Sequence, residues 1–262
     1  MSRWDYDATT DSDILMHGNY RVRAVRDNYA ENPFESDEGH WPICVRLPDS
    51  GRRTEFPDYA EQMSGDIRNP LARFTDAQLV FNQVHIAKAL GFDNVERALS
   101  AYFSDNDLTP AKWVTDADVL REGFEQNWDN DISESELFDA CVKLYKLIDI
   151  HAYTKQVTGY CQGDWAEVLV VAPPEVVEKF GTVTPITDEV LEGTADLYGW
   201  WAWCDCYGYV IEQRAPDTPD DADEDEIEWI EIDSCWGYYG PDHDKSGLEE
   251  AALAAIPEKV EA

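Results

Sequence analysis

The chain has 262 residues, of which 55 are Asp or Glu and 20 are Lys or Arg, so its formal net charge is −35. It is also 44% hydrophobic and 12% aromatic, which is more apolar material than acidic disordered chains contain. We therefore predict a folded protein of one large or two small domains. Because a polyanion binds only where a basic patch releases its counterions, we expect no direct binding of nucleic acid.

Residues 1–13 are polar and acidic, unlike the basic and then apolar segments of a secretory signal. The longest aliphatic run, Val168–Ala172, is far too short to span a bilayer, and a polyanion avoids anionic membrane surfaces. The six cysteines are sparse for this length, so we expect reduced thiols. The sequence thus predicts a cytoplasmic protein without membrane contact.

The negative charge is concentrated in the later part of the chain. Residues 1–100 contain 17 acidic and 11 basic residues, a net −6, whereas residues 101–262 contain 38 acidic and 9 basic residues, a net −29. Five early arginines are interpreted as scattered solubilising residues, with an acidic patch of the same chain or of a second copy as the alternative partner. They are Arg46, Arg52, Arg53, Arg68 and Arg73.

The first strand signal is the alternating segment YRVRAVRD at residues 20–27, which predicts a strand with one solvent-facing side. A turn-rich loop, YAENPFESDEGHW, follows it. The segment ICVRLP predicts a second short strand that ends at Pro48, and residues 49–73 lack periodicity and predict irregular structure.

The periodicity becomes helical over residues 75–149. Thr75 with Gln78 fits a capping box, and Gly91 is placed to end that helix. Its predicted apolar stripe is Leu79, Val80, Val84 and Ala87. Later helices are predicted to begin at Asn94, at Thr109 before Pro110, at Thr115 with Asp118, and at Ser133 with Glu136. The last of them presents one apolar face, formed by Leu137, Cys141, Leu144, Tyr145 and Ile148.

Strand chemistry returns in TKQVTGY and WAEVLVVA, within residues 150–172. Thr187 is then predicted to cap a helix that runs through Tyr198. Ser246 with Glu249 is predicted to open a C-terminal helix that stops at Pro257.

Strands at both ends of a helical middle predict an α+β fold, with an antiparallel sheet, flanking helices and an inserted helical segment. Three segments are expected. Residues 1–74 supply N-terminal strands and a loop, residues 75–149 are the helical insertion, and residues 150–262 are an α+β part that completes the sheet with the first segment.

Residues 207–240 form the most informative stretch, because two alternating segments, YGYVIEQ and EWIEIDSCWGYYG, predict an antiparallel hairpin. The alternating apolar residues are Tyr207, Tyr209 and Ile211 on the first strand and Ile230 and Ile232 on the second. The connection carries seven acidic residues and only Arg214 to offset them. A turn needs Gly, Asn or Pro rather than like charges, so we expect the aromatic strands to anchor an acidic feature.

The segments YAENPFESDEGHW and EIDSCWGYYGPDH resemble those of small acidic proteins encoded by bacteriophages and prophages. In that family a Tyr-x-x-x-Pro segment follows the first strand, and an Asp-Ser-Cys-Trp-Gly-(aromatic)-Tyr-Gly segment follows the last. Residues 159–172 are similar to its middle strand. The resemblance covers residues 1–47 and 150–250 and implies a phage setting without a particular activity; the helical insertion and the acidic loop depart from the family pattern.

Two groups of residues could form metal sites, but the alternative interpretation is that the cysteines are buried as small apolar residues and the acids are simply solvated. A zinc site would combine Cys204-x-Cys206 with Cys161, Cys235 or His243. Structural zinc prefers two pairs with two to four intervening residues, and the sequence offers no second pair. The run Asp221-x-Asp223-x-Asp225 has calcium-loop spacing, but Glu226 replaces the turn glycine. We expect no bound metal and no cofactor.

Catalytic signatures are weak. A cysteine nucleophile would need Cys161 with His151 or Cys235 with His243, pairings that six Cys and five His produce by chance. Motifs such as Walker A, G-x-S-x-G, H-E-x-x-H and G-x-G-x-x-G do not occur. With 55 acidic residues, a pair of carboxylates carries no information. The sequence therefore predicts a protein that is not an enzyme.

An aromatic cluster formed by Trp200, Trp201, Trp203, Tyr207 and Tyr209 could stack nucleic-acid bases. Such a platform needs a basic groove around it, and this cluster lies in the most acidic part of the chain. Core packing or self-association, as in a homodimer, is the interpretation that the surrounding charge favours.

These observations predict a phage-encoded DNA mimic, whose carboxylates stand in for duplex phosphates and block a host DNA-binding protein or nuclease complex of a restriction or CRISPR system. The alternative is a non-enzymatic interaction protein that binds its partner through an aromatic surface, with acidity serving solubility. The candidate partner-binding residues are Asp217, Asp220, Asp221, Asp223, Glu224, Asp225, Glu226 and Glu228 of the hairpin, and Asp116, Asp118, Glu122, Glu125, Asp129 and Asp131 of the helical segment.

Overall fold

A computed structural model shows that the chain has the predicted α+β fold. It describes residues 3–33, 43–46, 69–106, 108–109, 114–130, 134–158, 165–174, 177–178, 185–219, 222–223 and 226–257. Strands within these ranges are β1 (Asp5–Asp7), β2 (Ser12–His17), β3 (Tyr20–Arg26), β4 (Ile43–Arg46), β5 (His151–Thr158), β6 (Trp165–Ala172), β7 (Cys206–Arg214) and β8 (Trp229–Tyr239). The helices are α1 (Asp76–Ala89), α2 (Val95–Ala98), α3 (Ser100–Asp105), α4 (Ala117–Asn130), α5 (Glu134–Lys146), α6 (Asp188–Ala202) and α7 (Leu248–Ala255), with a 3₁₀ turn at Pro70–Arg73.

The chain divides into two compact units. The first comprises Met1–His40 and Leu197–Ala262, and the second comprises Trp41–Asp196. The predicted helical segment 75–149 lies within the second unit, and the boundary between the units falls inside α6. Strands β5 and β6 form a sheet with β4 rather than with the strands of the first unit, which is why this division differs from the three segments expected from the sequence.

The first unit is built on a five-stranded sheet of order β1-β2-β3-β7-β8, in which every neighbouring pair is antiparallel. The alternation predicted for residues 20–27 is confirmed, because Val22 and Ala24 of β3 are buried. Helix α7 packs over the same face of the sheet and supplies the other side of the core. The buried residues of this core are Leu15, Val22, Ala24, Tyr209, Ile211, Leu248 and Ala252.

Strands β1 and β2 have no counterpart in the sequence analysis. Gly18 and Asn19 form the two-residue connection between β2 and β3, with the φ of Gly18 at 62°, and His17 faces Tyr20 across the pair. The segment SDILMH of β2 has an uninterrupted apolar centre instead of a period of two, so it carries only a weak strand signal.

The second unit combines a three-stranded antiparallel sheet of order β4-β6-β5 with helices α1 to α5 and the first part of α6. The strands predicted within 150–172 are confirmed. Strand β6 lies between its two neighbours, and its residues 166 and 168–172 are buried. The predicted apolar face of α5 is also confirmed, because Cys141, Leu144 and Tyr145 are fully buried. Helices α1 to α5 share one core with Leu169 and Val171 of β6.

Helix α1 begins and ends as predicted. The Thr75 hydroxyl accepts a hydrogen bond from the Gln78 amide at 3.3 Å, and the Gln78 side chain accepts one from the Thr75 amide at 2.9 Å. At the other end Gly91 has a φ of 87°, and the Phe92 and Gly91 amides donate to the carbonyls of Ala87 and Lys88. This is a Schellman motif, which requires a residue that tolerates the left-handed region.

The apolar stripe predicted for α1 is partly wrong. Val84 is exposed, whereas Asn82 and Gln83 lie on the buried side with Leu79 and Ile86. The Gln83 side-chain amide donates to the carbonyl oxygens of Val80 at 2.9 Å and Val114 at 3.1 Å. Because these bonds satisfy the amide, a polar residue faces the core, which a hydrophobicity pattern does not anticipate.

Asn94 caps α2 as predicted, since its side chain accepts from the Arg97 amide at 2.9 Å. The cap predicted for α4 is wrong by one residue. Asp116, not Thr115, precedes the helix, and its carboxylate accepts from the Asp118 amide at 3.0 Å. The predicted starts at Thr109–Pro110 and at Ser133 fall partly on residues outside the described ranges.

The capping box predicted at Ser246 and Glu249 is also wrong. Helix α7 begins at Leu248 after Gly247, whose φ is 81°. The Glu249 carboxylate is buried and accepts hydrogen bonds from Arg3 and from the Trp4 indole, both at 2.8 Å. The carboxylate therefore binds the N-terminal segment instead of capping α7. Helix α6 follows Thr187 as predicted but continues to Ala202, beyond the expected end at Tyr198.

None of the helices within the described ranges is long and apolar enough to cross a membrane.

The core assignment of the hairpin predicts a contrast between two isoleucines. Ile211→Ala empties a fully buried site and should lower the free energy of unfolding by about 2–4 kcal/mol. Ile230→Ala removes a side chain that is 46% exposed and should change it by less than about 0.5 kcal/mol. Urea denaturation of both variants measures the difference. Equal losses would contradict the assignment of Ile211 to the core and Ile230 to the surface.

Candidate functional site

The predicted hairpin is confirmed as β7 and β8, which pair antiparallel from Cys206 opposite Tyr239 to Arg214 opposite Trp229. Strand β7 lies between β3 and β8, and its residues Gly208–Glu212 are all buried. Strand β8 ends the sheet. The interior strand therefore anchors the hairpin, and the last strand presents its side chains to solvent.

The prediction that apolar residues of the return strand anchor the hairpin is wrong for Ile230 and Ile232. Both are exposed, as is every residue from Ile230 to Gly237. The pairing has a register shift next to Ile232, which stands opposite no residue of β7. Helix α7 packs against β7, so the edge strand gains little cover from it. An edge position, which only strand order defines, overrides the alternating pattern.

Trp236 is the large aromatic residue of the exposed strand. It stands opposite Gly208, and a Cβ atom at Gly208 would overlap its ring and lie 2.8 Å from the carbonyl oxygen of Cys235. Gly237 follows with a φ of 96° at a second register shift. The ring thus rests on the backbone of β7 while nearly half of the residue stays exposed.

The connection between the strands consists of successive turns where it is described. The amide of Thr218 donates to the carbonyl of Ala215 at 3.1 Å, and the amide of Glu226 donates to that of Asp223 at 2.9 Å. The Arg214 guanidinium donates to the carbonyl of Pro219. The one basic residue of the connection is therefore bound to backbone. Its predicted residues Asp220, Asp221, Glu224 and Asp225 lie outside the described ranges.

The described carboxylates of the hairpin are all exposed. They are Asp217, Asp223, Glu226 and Glu228. The strand itself adds Glu231 and Asp233, which are also exposed and were not among the predicted site residues. Strand β8 contains neither Lys nor Arg. The hairpin thus carries a local excess of negative charge next to three exposed apolar side chains, Ile230, Ile232 and Trp236.

The second predicted set of carboxylates lies on and before α4, in the second unit. Leu120, Phe124 and Trp128 bury one side of this helix. A different face of the helix carries Asp118, Glu122 and Glu125, at spacings of four and three residues. Cβ atoms of neighbours at these spacings lie about 5–6 Å apart. Like charges at this spacing cost a helix a few tenths of a kcal/mol each. Asp131 and the side chain of Asp129 lie outside what the structure describes.

Two of these carboxylates have local hydrogen-bond partners. Asp116 caps α4, and Glu122 accepts from the Tyr102 hydroxyl at 2.9 Å. The bond to Glu122 raises the pKa of the Tyr102 hydroxyl, since it holds the proton beside a carboxylate. Among the described residues, no Lys, Arg or His forms an ion pair with any of the eight described hairpin and α4 carboxylates of the predicted set.

Ion pairs concentrate elsewhere. The buried Glu212 carboxylate lies 2.7 Å from the Arg21 Nε and 3.1 Å from the Arg23 Nε. The Arg23 contact is a charge contact without good hydrogen-bond alignment. In the second unit the Lys155 ammonium binds Glu192 at 2.8 Å and Asp196 at 2.7 Å. These cations therefore form their ion pairs with acids outside the predicted set.

An open groove of about 810 Å³ lies on the side of the first sheet that faces away from α7. Arg21 stands within it, and its guanidinium lies 4.7 Å from the centre of the Trp229 ring. The groove is lined by Asp5, Tyr6, Ile14, Met16, Arg21 and Trp229. Its walls are formed by β1, β2 and the first residue of β8. The sequence gives no sign of it because β1 and β2 were not predicted.

The described cysteines of the first unit lie in different environments. Cys204 and Cys235 are exposed and Cys206 is buried, and burial raises the pKa of the Cys206 thiol to about 12. His243 is buried, with its Nε2 at 2.9 Å from Asp13 and its ring against Trp4 and Tyr207. Cys161 lies outside the described residues. Within the described ranges, His, Cys, Asp and Glu form no group of three or more that could hold a metal ion.

Comparison with protein-family models, curated proteins and solved structures found no match to the chain. The likeness to phage proteins therefore stays a prediction.

The contact between Gly208 and Trp236 predicts opposite effects for two glycine substitutions. Gly208→Ala should displace the indole, lower stability by about 1–3 kcal/mol and shift the tryptophan fluorescence. Gly193→Ala, in an open position of α6, should raise stability by about 0.5–1 kcal/mol. Thermal unfolding monitored by fluorescence compares them. A neutral Gly208→Ala would contradict the seating of Trp236 on β7.

The cysteine environments predict which thiols react. At about pH 8 a thiol with a pKa of about 12 is roughly one part in ten thousand thiolate, so Cys206 should resist a thiol reagent. Cys204→Ser and Cys235→Ser should each remove one rapidly reacting thiol, whereas Cys206→Ser should remove none. Loss of a rapid thiol in Cys206→Ser would show that this residue is accessible.

Proposed function

We propose that this chain is a phage-encoded acidic DNA mimic that occupies the DNA-binding surface of a host defence protein, such as a restriction or CRISPR nuclease complex. The observation that carries the proposal is the set of carboxylates on the hairpin and α4 that lack ion-pair partners among the described residues, all of them exposed except the half-buried Glu125. Unpaired, exposed carboxylates present their full charge to a basic surface, as phosphates do.

The amount of charge is appropriate to the proposal. Duplex DNA has about one negative charge per 1.7 Å of axis, so a charge of −35 equals that of roughly 60 Å, or about 18 base pairs. Half of that charge would still correspond to the footprint of a DNA-binding protein. Long-range attraction also accelerates association, which benefits a protein that competes with a nuclease for time.

A second candidate is a phage interaction protein that binds its partner through aromatic and apolar side chains, with acidity serving solubility. The observation that favours it is the exposure of three large apolar side chains on β8, Ile230, Ile232 and Trp236. Both candidates are non-enzymatic and place the partner at the hairpin. They differ in whether charge or apolar contact dominates the affinity.

The two candidates predict different mutational responses. For a mimic, single Asp→Asn or Glu→Gln changes should be nearly silent, because each exposed contact contributes about 0.5–1 kcal/mol. The combined change of Asp217, Asp223, Glu226 and Glu228 to their amides should weaken inhibition about tenfold or more. The measurement is the plating efficiency of an unmodified phage on hosts that carry a restriction or CRISPR system and express each variant.

The matched control removes the same number of charges outside the predicted set, through amide substitutions at Asp93, Glu96, Asp139 and Glu250, which are exposed. It should retain inhibition within about twofold. Loss of function in Trp236→Ala together with full activity of the hairpin quadruple variant would overturn mimicry and favour the apolar surface. Absence of any gain in plating with the natural chain would contradict both defence systems as targets.

A further inference from the structure

Strand β8 ends the five-stranded sheet and is the longest strand among the described residues, with 11 residues. Successive backbone groups of a strand point alternately to its two sides, and β7 occupies only one of them. Within the described ranges the other side has no strand partner. A free edge of this kind is a template on which an extended chain can add another strand.

Edge strands usually carry protection, such as Lys, Pro or short length. The sequence of β8, WIEIDSCWGYY, has neither Lys nor Pro. Its protection is limited to two register shifts, next to Ile232 and Gly237. Between them the stretch Asp233–Trp236 pairs regularly with β7. A docking strand would therefore be short and centred on this stretch.

The side chains at the edge define the chemistry of its occupant. Glu231 and Asp233 are exposed along the strand, Glu228 precedes it, and apolar side chains lie between and beyond them. A second copy of the chain is a poor occupant, because self-pairing would bring together two copies of an acidic strand that has no Lys or Arg. Opposed like charges destabilise strand pairs, whereas opposite charges stabilise them.

We propose that the outer edge of β8 binds an extended segment of a protein partner that carries Lys or Arg on both of its faces beside apolar residues, and that the segment adds to the sheet as a sixth strand. This inference rests on the proposed function, since DNA-binding surfaces are rich in basic residues. Backbone hydrogen bonds supply affinity. Glu231 pairs with Glu212 and Asp233 with Ile211 on either side of the shift at Ile232, so the two acids lie on opposite faces of the sheet and select a segment with a basic residue on each face. Ile230, Ile232 and Trp236 receive its apolar residues.

The test uses the full chain and a capped synthetic peptide of about nine residues in which adjacent Lys pairs, one Lys on each face of the strand, are separated by Val or Thr. The control peptide has the same sequence with N-methyl groups on two adjacent central residues, which removes a donor from each side of the strand. Calorimetry measures affinity, and amide hydrogen exchange reports protection of residues 229–239. We expect the parent peptide to protect β8 amides and to bind at least about tenfold more tightly than the control.

The protein variant Glu231→Lys/Asp233→Lys should weaken binding of the parent peptide about tenfold. Its matched control, Glu96→Lys/Asp139→Lys, makes the same charge change at exposed positions of the second unit and should bind within about twofold of the natural chain. Because the two peptides are compared on the natural chain, the test does not depend on the folding of any variant.

Equal affinity for both peptides without protection of β8 would overturn strand addition and leave the acidic attraction of the proposed function intact. Failure of both peptides to bind at about 50 mM salt would count against both proposals. Light scattering measures the mass of the natural chain and of the Glu231→Lys/Asp233→Lys variant. A natural chain at twice the 29.8 kDa monomer mass with a monomeric variant would overturn the inference in favour of self-pairing.

Discussion

Mutual repulsion among acidic residues is the constraint that the rest of this structure has to satisfy. With a net charge of −35, every element that folds brings carboxylates closer than they are in the unfolded chain. In each unit an extensive apolar core and a few ion-paired cations offset this repulsion. Glu212 in the first sheet holds two arginines, and Lys155 in the second unit holds two carboxylates. Salt, which screens charges beyond about 8 Å at physiological strength, should therefore stabilise the fold.

Several acidic residues of the hairpin and of α4 are among the described carboxylates that escape such pairing. Asp118, Glu122 and Glu125 repel one another along one face of a helix. Glu231 and Asp233 occupy a strand that already lacks cover. Stability alone does not account for these positions, and a basic partner would turn each of them into a favourable contact. The exposed apolar side chains of β8 lie beside these acids, and an extended segment with basic and apolar residues would contact both.

Local chemistry made much of the fold predictable. Period-two alternation identified β3, β7 and β8, and a capping box with a well-placed glycine identified both ends of α1. Predictions failed where a distant contact decided the outcome. Glu249 is held by Arg3 and Trp4, more than two hundred residues away, and so does not cap α7. Gln83 faces the core because the carbonyl of Val114 receives its amide.

The candidate site was predictable in composition and not in placement. The acidic connection after β7 is evident in the sequence, but the position of β8 at the end of the sheet depends on the order β1-β2-β3-β7-β8. That order decides whether Ile230, Ile232 and Trp236 are core or surface, and alternation alone favoured the wrong answer for the two isoleucines. Glu231 and Asp233 were left out of the predicted site for the same reason, because the sequence does not show that β8 is an edge strand with exposed side chains.

The central claim, that this acidic surface stands in for DNA, is tested most directly by competition. The chain is immobilised, proteins from a bacterial lysate are bound at about 50 mM salt, and increasing amounts of duplex DNA are added. The account predicts that the retained proteins are DNA-binding proteins, that duplex DNA releases them, and that the amide variant of Asp217, Asp223, Glu226 and Glu228 retains less of them. Retention that is insensitive to duplex DNA and to salt would contradict it.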